Sequence, residues 1–411
     1  MKKRYFRDYL CDKVESERVV LLSNKVSGQW IKIPTECYDI LNYASENRIA
    51  LEDVAMKFMV DEDRRYYLKL IELLEKIGLA GVDYDIESLG LYKVVFSITN
   101  RCNLSCEYCC AESELQANEY LTTSDCKNII DRIVLMSPDI VIISGGEPMM
   151  RNDIFDILNY LKQKFSGKII LSTNATLIKD NDAEILAKIL HAIEISVDGY
   201  DDKTVSRIRG YGVYDKVVAV VKKLQMCGLE KISLSMVLGK DNINQKKNFI
   251  EFCDEMNVSY MLRYFYNVGR GKNNHERYVE NLLDINYIDF EYEKSNTSFT
   301  TNRCKAGLTQ ISIDRKGDVY PCPNLEYEEF KMYNILDYEA NLNRKYNLRR
   351  ELEQLKKINN FKTTNIEKCK SCNINVFCMP CPAMIYNIID DDIRFEHNCK
   401  RNKYMQLKIW S

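Results

Sequence analysis

The chain has 411 residues, 46% of them apolar, with 58 Lys and Arg against 60 Asp and Glu. Its length predicts two or three domains, and a formal charge of −2 implies no polyanionic partner such as nucleic acid. No run of about 18 apolar residues predicts a membrane span, and the N-terminus MKKRYFRDYL lacks the apolar stretch of a secretory signal. The expected location is therefore the cytoplasm, where 16 cysteines do not form a disulfide framework.

In residues 1–90, Val19–Leu22 and Gln29–Ile33 read as two strands joined by a polar turn that ends at Gly28. Three helical patterns follow, from Pro34-Thr35 to about Asn47, over Leu51–Met59, and from about Asp61 to a C-terminal glycine, Gly78. The stretch Leu79–Ile86 reads as a wing or linker. A hairpin followed by three helices is a winged-helix arrangement, whose ordinary uses are DNA binding or mere packing. Here 14 Lys and Arg against 17 Asp and Glu make the segment slightly acidic, which argues against a phosphate-binding face. The element order resembles the small PqqD-like peptide-recognition domains. That resemblance implies a leader peptide added as a strand beside Gln29–Ile33 and the Asp63–Ile77 helix.

Residues 91–275 alternate strands with helical patterns. The strands are Val94–Ile98, Ile140–Ile143, Lys168–Leu171, Ile193–Val197, Ile232–Val237 and Tyr260–Tyr264. The helical patterns are Ser124–Met136, Asp153–Phe165, Asp182–Leu190, Asp215–Met226 and Gln245–Met256. This predicts an α/β fold, a partial (β/α)6 barrel of TIM type, with working residues on the loops after the strands. After the first strand come Cys102, Cys106 and Cys109 at C-x3-C-x2-C spacing, with Tyr108 before the last. Three thiolates so spaced can hold three irons of a [4Fe–4S] cluster and leave the fourth open; alone they could equally be half a zinc site or chance. Cys110 is read as a spectator. After the second strand, Gly145 and Gly146 allow close backbone approach to a ligand, and Glu147-Pro148 adds a carboxylate able to accept from an ammonium group. Ser172 and Asn174 follow the third strand, Ser196 and Asp198 the fourth, and Arg209 could clamp a carboxylate.

In the last segment, 276–411, residues 276–300 read as a bridge. Cys304, a strand–turn–strand over Ile311–Pro321, and Cys322 come next. Then follow Cys369-x2-Cys372-x5-Cys378-x2-Cys381, and Cys399. Two C-x2-C pairs could hold one zinc, but five residues between them is short for a zinc ribbon and three cysteines would be left over. Cys11, Cys37, Cys126, Cys227 and Cys253 read as buried small hydrophobes. His191, His275 and His397 are not paired at helical spacing, so no histidine-based site is expected.

Taken together, residues 92–265 resemble the radical S-adenosylmethionine (radical SAM) enzymes. The cluster loop, the Gly-Gly-Glu-Pro motif, and the Ser-Thr-Asn and Ser-Val-Asp-Gly stretches carry the likeness. The resemblance implies SAM bound at the open iron, with Gly145–Glu147 at its amino group. Ser172, Asn174 and Arg209 would face the carboxylate or ribose, Ser196 and Asp198 the ribose region, and Tyr108 the adenine. Ala175 stands where the related motif usually has glycine; a left-handed backbone there would cost about 1 kcal/mol.

The C-terminal segment resembles the SPASM extension, which implies two auxiliary [4Fe–4S] clusters. Cys369, Cys372, Cys378 and Cys399 would form one, and Cys304, Cys322 and Cys381 the other, with a possible open iron. Only two residues separate Cys378 from Cys381 where that extension usually has three.

The implied function is a maturase that abstracts hydrogen from a ribosomally made precursor peptide and installs an intramolecular crosslink, a Cys thioether first. Its electron donor would be a flavodoxin or ferredoxin. Carbon–carbon crosslinking and epimerisation are alternatives. A sulfatase-type cysteine oxidase is disfavoured because Pro323 stands where those relatives have aspartate. An iron–sulfur DNA-binding regulator is the non-enzymatic alternative. No side chain is named as catalytic acid or base.

Overall fold

The computed structural model describes residues 2–82, 90–239, 242–265, 268–274, 304–337, 355–378, 381–393, 395–396 and 399. The 276–300 bridge, residues 83–89, His275 and His397 lie outside them. The chain divides into two units. One takes Met1–Leu89, Ile285–Lys305 and Leu348–Ser411; the other takes Gly90–Asp284 and Ala306–Asn347. Residues 276–411, read from the sequence as one segment, are thus shared between them.

In the first unit, β1 (Tyr5–Phe6) precedes a three-stranded antiparallel sheet of β2 (Cys11–Glu15), β3 (Val19–Asn24) and β4 (Trp30–Pro34). The helices α1 (Thr35–Glu46), α2 (Leu51–Ala55) and α3 (Asp61–Lys76) follow, then β5 (Ala80–Gly81), which pairs with β1. Strand β2 and the β1–β5 pair were not foreseen from the pattern. Cys11–Glu15 is too polar to read as a strand, and β1 and β5 are two residues each. Alternation along β3 sorts the sheet's two faces. Val20 and Leu22, with Ile33 of β4, pack under Leu41, Leu51, Tyr67, Ile71 and Leu74. On the opposite face, Leu21 and Val14 meet Ile374, Val376 and Phe377 from the cysteine-rich tail. Trp30 stands edge-on to Phe377 with ring centroids 5.3 Å apart. Arg4 fixes the entry by bonding Glu52 and Glu75, each at 2.6 Å.

The second unit is built on a nine-stranded sheet. Its parallel strands are β6 (Lys93–Ser97), β7 (Ile140–Ser144), β8 (Lys168–Thr173), β9 (Ala192–Ser196), β10 (Ile232–Leu238) and β11 (Ser259–Tyr264). The crossovers are α4 (Thr123–Met136), α5 (Ile154–Lys164), α6 (Asp180–Ile189), α7 (Asp202–Arg209), α8 (Val213–Met226) and α9 (Lys246–Glu255). Helix α7 is not among the helical patterns read from the sequence; its Asp201 cap, bonded to Thr204 N at 2.8 Å, starts a helix too short for a clear periodic pattern. Beyond β6 the sheet continues with β12 (Gln310–Ile313), parallel to it, then antiparallel β13 (Asp318–Tyr320) and β14 (Tyr333–Asn334).

Side-chain burial separates the two faces of this sheet. Val94, Phe96, Val141, Ile143, Ile169, Leu171, Ile193, Ile195, Leu234 and Met236 are buried in one cluster with the helices. The residues between them, including Ser97, Ser144, Ser172, Glu194 and Ser196, are only partly buried. A doubly wound sheet would bury both faces under helices, so this sheet has a helix-covered outside and a polar inside.

Candidate active site

The C-terminal ends of β6 to β10 all open on one edge of the sheet, and the loops leaving them meet there. Cys102 is buried, and Cys106 and Cys109 are half-buried. All three lie on the loop after β6, where Cys109 N donates to Cys106 O at 3.3 Å. Burial pushes the Cys102 thiol up to about 11, with the neighbouring thiols of Cys106 and Cys109 adding to the rise. Burial also raises Cys106, against the pull of the Arg209 and Arg270 charges. Three mutually close free thiols in a soft-donor set suit an iron–sulfur cluster. As the side chains stand, no three Cys, His, Asp or Glu groups among the described residues form a closed metal site.

The loop is held by residues the sequence did not single out. Arg270, in the helical turn Gly269–Asn274, donates from Nε to Cys106 O at 3.0 Å and from Nη1 to Ser113 O at 2.8 Å. Its backbone N–H reaches Cys109 O at 3.1 Å, and Asn274 Nδ2 reaches Glu107 O at 2.8 Å. Gly269 has φ +54°, and a Cβ there would lie 2.4 Å from Cys109 O. Arg151, almost wholly buried, joins Ile98 O and Leu121 O to Asp153. Only their packing against a loop distant in sequence marks these residues; no local pattern does.

Gly145 and Gly146 form the expected close backbone approach. A Cβ on Gly145 would lie 2.5 Å from Thr99 O, and one on Gly146 would lie 2.4 Å from Arg101 O. Glu147 is engaged within the fold. Its carboxylate is fully buried, Oε1 accepting from Thr173 Oγ1 at 2.7 Å and Met149 N at 3.0 Å, and Oε2 from Asn174 N at 2.6 Å. Burial raises its pKa against the pull of these donors. The side chain thus ties the β7 loop to the β8 loop, and Pro148, which opens the 3-10 turn Pro148–Met150, fixes its exit.

Asn174 is likewise engaged within the fold. Its Nδ2 donates to Asn103 Oδ1 at 3.0 Å, and its Oδ1 accepts from Thr176 N and Oγ1 at 2.9 and 2.6 Å. Ala175 does adopt the left-handed conformation, with φ 62°. Its methyl group is fully buried, which offsets part of the strain.

Asp198 and Arg209, expected to take separate parts of a ligand, pair with each other. Arg209 Nε and Nη2 reach Asp198 Oδ2 at 2.7 and 2.5 Å, and Val237 N donates to Asp198 Oδ1 at 2.6 Å. Burial alone would lower Arg209, but the Asp198 carboxylate overrides it and holds the guanidinium firmly charged. Asp198 also has φ 60°, a strained turn that swings its carboxylate toward α7. Tyr108 packs against Ile208 and Phe265, its ring edge-on to Phe265 at 6.3 Å. The structure therefore brings Cys106, Tyr108, Asp198 and Arg209 together around one charge pair. Ser172 and Ser196 stand on the inner face of the sheet, where Ser235 Oγ reaches Ser196 Oγ at 3.4 Å.

Among the tail cysteines, the thiols of Cys372 and Cys399 lie close enough to Cys369 to raise it, after burial, to about 11. Cys372 N donates to Cys369 O at 3.0 Å, and Cys378 N to Ile374 O at 3.1 Å. Cys304 and Cys381 belong to the first unit and Cys322 to the second.

Residues 96–253 match the Radical SAM superfamily. The chain is similar to the mycofactocin maturase MftC of Mycolicibacterium smegmatis, 27% identical over 263 residues, 59% of this chain and 67% of that one. It is also similar to a probable GTP 3′,8-cyclase of Sulfurisphaera tokodaii, 25% identical over 281 residues, 63% of this chain and 90% of that one. Among solved structures, Streptococcus suis SuiB bound to precursor peptide SuiA shares the fold at TM-score 0.53 and 18% identity, covering 95% of this chain and 97% of that one. No described helix is long and apolar enough to cross a membrane. With cluster-type thiols, a glycine cradle and a superfamily match on the same stretch of chain, the protein contains a radical SAM domain and is an enzyme.

Proposed function

We propose that the protein is a maturase that modifies a ribosomally made precursor peptide, installing an intramolecular crosslink between a cysteine sulfur and a peptide carbon. The observation that carries the peptide reading is β4, which among the described residues is paired on one side only, with β3. A strand edge of this kind accepts an extended peptide by backbone hydrogen bonding, with alternate side chains setting specificity. The slightly acidic balance of residues 1–90 weighs against DNA as the ligand instead. Similarity to a maturase supports this reading, while similarity to a GTP cyclase shows that the superfamily match alone does not choose a substrate.

In this reading Cys102, Cys106 and Cys109 hold a [4Fe–4S] cluster, and Cys304, Cys322, Cys369, Cys372, Cys378, Cys381 and Cys399 hold two auxiliary clusters. Such a cluster, with SAM, would supply radical chemistry for hydrogen abstraction from carbon. The chain's own residues position the reactants. The Gly145-Gly146 backbone admits SAM closely, Tyr108 offers an aromatic wall, and the Asp198–Arg209 pair fixes the charge beside it. On the inner face, Ser172 faces the carboxylate or ribose of SAM and Ser196 its ribose region. A flavodoxin or ferredoxin would deliver the reducing electron.

The test is incubation of reduced, iron-loaded protein with SAM and a candidate cysteine-containing precursor peptide. The product should be lighter by two hydrogens, and an unchanged mass with 5′-deoxyadenosine formed would overturn the crosslinking reading. Iron near 12 per chain supports three clusters, whereas about 4 would remove the auxiliary pair, at four irons per cluster.

A further inference from the structure

Around the open edge of the second unit's sheet, three arginines are paired with carboxylates. Arg151 meets Asp153 and Glu119, Arg209 meets Asp198, and Arg263 meets Glu194. Arg270 meets no carboxylate among the described residues; its Nε and Nη1 donate to the main-chain carbonyls of Cys106 and Ser113, at 3.0 and 2.8 Å. Its Nη2 is buried and has no hydrogen-bond partner among the described residues. A guanidinium so placed carries an uncompensated charge, which is costly to bury unless an anion lies near. The residues it grips are those of the cysteine loop.

That grip is extensive. The Arg270 backbone N–H reaches Cys109 O at 3.1 Å, and Asn274 Nδ2 reaches Glu107 O at 2.8 Å. The carbonyls of Cys106, Glu107 and Cys109 are thus all taken by the Gly269–Asn274 turn. Cys102 Sγ accepts from Leu104 N at 3.4 Å and Asn174 Nδ2 at 3.9 Å, both neutral donors. After burial, the charges acting on the Cys106 thiol are those of Arg209, Asp198, Cys109 and Arg270, in that order. Arg209 and Asp198 offset each other as a bonded pair, which leaves Arg270 as the uncompensated cation of that set.

We propose that Arg270 is an electrostatic positioning residue whose fixed positive charge favours the reduced state of the cluster held by Cys102, Cys106 and Cys109. The proposal rests on the cluster reading above. Reduction moves one electron from a flavodoxin or ferredoxin, which is oxidised, to the cluster; no bond or proton of the chain changes place. Three thiolates already make the site anionic, and the added electron makes it more so. A nearby cation therefore stabilises the reduced form more than the oxidised one. At about 10 Å and an effective dielectric of about 20, one unit charge shifts such an equilibrium by roughly tenfold. The neutral ties to the loop hold its shape in either state, so only the charge separates the two.

The test is a redox titration of the full chain, reconstituted with iron and sulfide and followed by electron paramagnetic resonance. The signal of this cluster is the one absent from the triple variant Cys102→Ala, Cys106→Ala, Cys109→Ala. Arg270→Gln should lower the reduced-to-oxidised ratio at a fixed potential by about tenfold, a midpoint about 59 mV more negative. Arg270→Lys loses the forked grip but keeps the charge, and its ratio should stay within about threefold of wild type. Asn274→Ala breaks a loop tie without touching a charge; it should retain less iron, with a ratio within about twofold of wild type. Arg270→Met serves as the uncharged variant if Arg270→Gln holds no iron. An uncharged variant within about twofold of wild type, or a fall in Arg270→Lys as large as in Arg270→Gln, would overturn the proposal. Loss of iron from both uncharged variants but not from Arg270→Lys would support it, whereas loss from all three would make Arg270 a strut and overturn it. A wild-type spectrum identical to that of the triple variant would overturn the cluster reading itself, and the proposal with it.

Discussion

Replacing Glu147 with glutamine separates a structural strut from a ligand contact. The carboxylate accepts three hydrogen bonds, two at Oε1 and one at Oε2, from Thr173, Met149 and Asn174. Glutamine offers one acceptor oxygen. Placed at the Oε1 position, that oxygen keeps two bonds and turns an NH2 group toward Asn174 N, 2.6 Å from the former oxygen. A charge-assisted bond worth about 1.5–3 kcal/mol is lost, and a buried N–H is orphaned at about 1–3 kcal/mol. The neutral amide no longer suffers the desolvation that raises Glu147, which offsets part of the loss. The net expectation is destabilisation by about 2–4 kcal/mol in the absence of any ligand. Urea unfolding at pH 7 would measure it, with amide exchange at Asn174 and Ala175 locating it. A change below about 0.5 kcal/mol, with SAM affinity reduced tenfold or more, would refute the reasoning and return Glu147 to the ligand.

Three further perturbations follow from the same geometry. Arg209→Met leaves Asp198 as an unpaired buried charge, and urea unfolding should show a loss of about 3–5 kcal/mol; a loss under 1 would mean the pair is solvated. Gly269→Ala places a Cβ 2.4 Å from Cys109 O at a left-handed φ; far-UV circular dichroism should be unchanged while iron retained after reconstitution falls by about half or more. Trp30→Ala removes the ring that abuts Phe377 and should speed proteolysis and amide exchange within 355–378, at a cost of roughly 2–4 kcal/mol; unchanged exchange there would sever the N-terminal sheet from the cysteine-rich tail.

The sequence by itself determined the strand–helix alternation and the order of the site's loops. β-Branched runs bounded by polar turns mark each parallel strand within about two residues, because backbone conformation and burial are local in their pattern. It also placed Gly145 and Gly146, since only glycine permits the approach to Thr99 and Arg101. Ala175 showed its strain in advance for the same reason. Tertiary structure alone decided what the charged side chains do. Glu147, Asn174, Asp198 and Arg209 lie on the right loops, yet three-dimensional packing sets them bonding to the fold and to one another. A carboxylate's partner is whatever lies within 3 Å, and that neighbour is often tens of residues away in sequence. The same holds for Arg270 and Arg151. Arg270 bonds Cys106 O and Ser113 O, and Arg151 bonds Ile98 O and Leu121 O, each far from its partner in sequence.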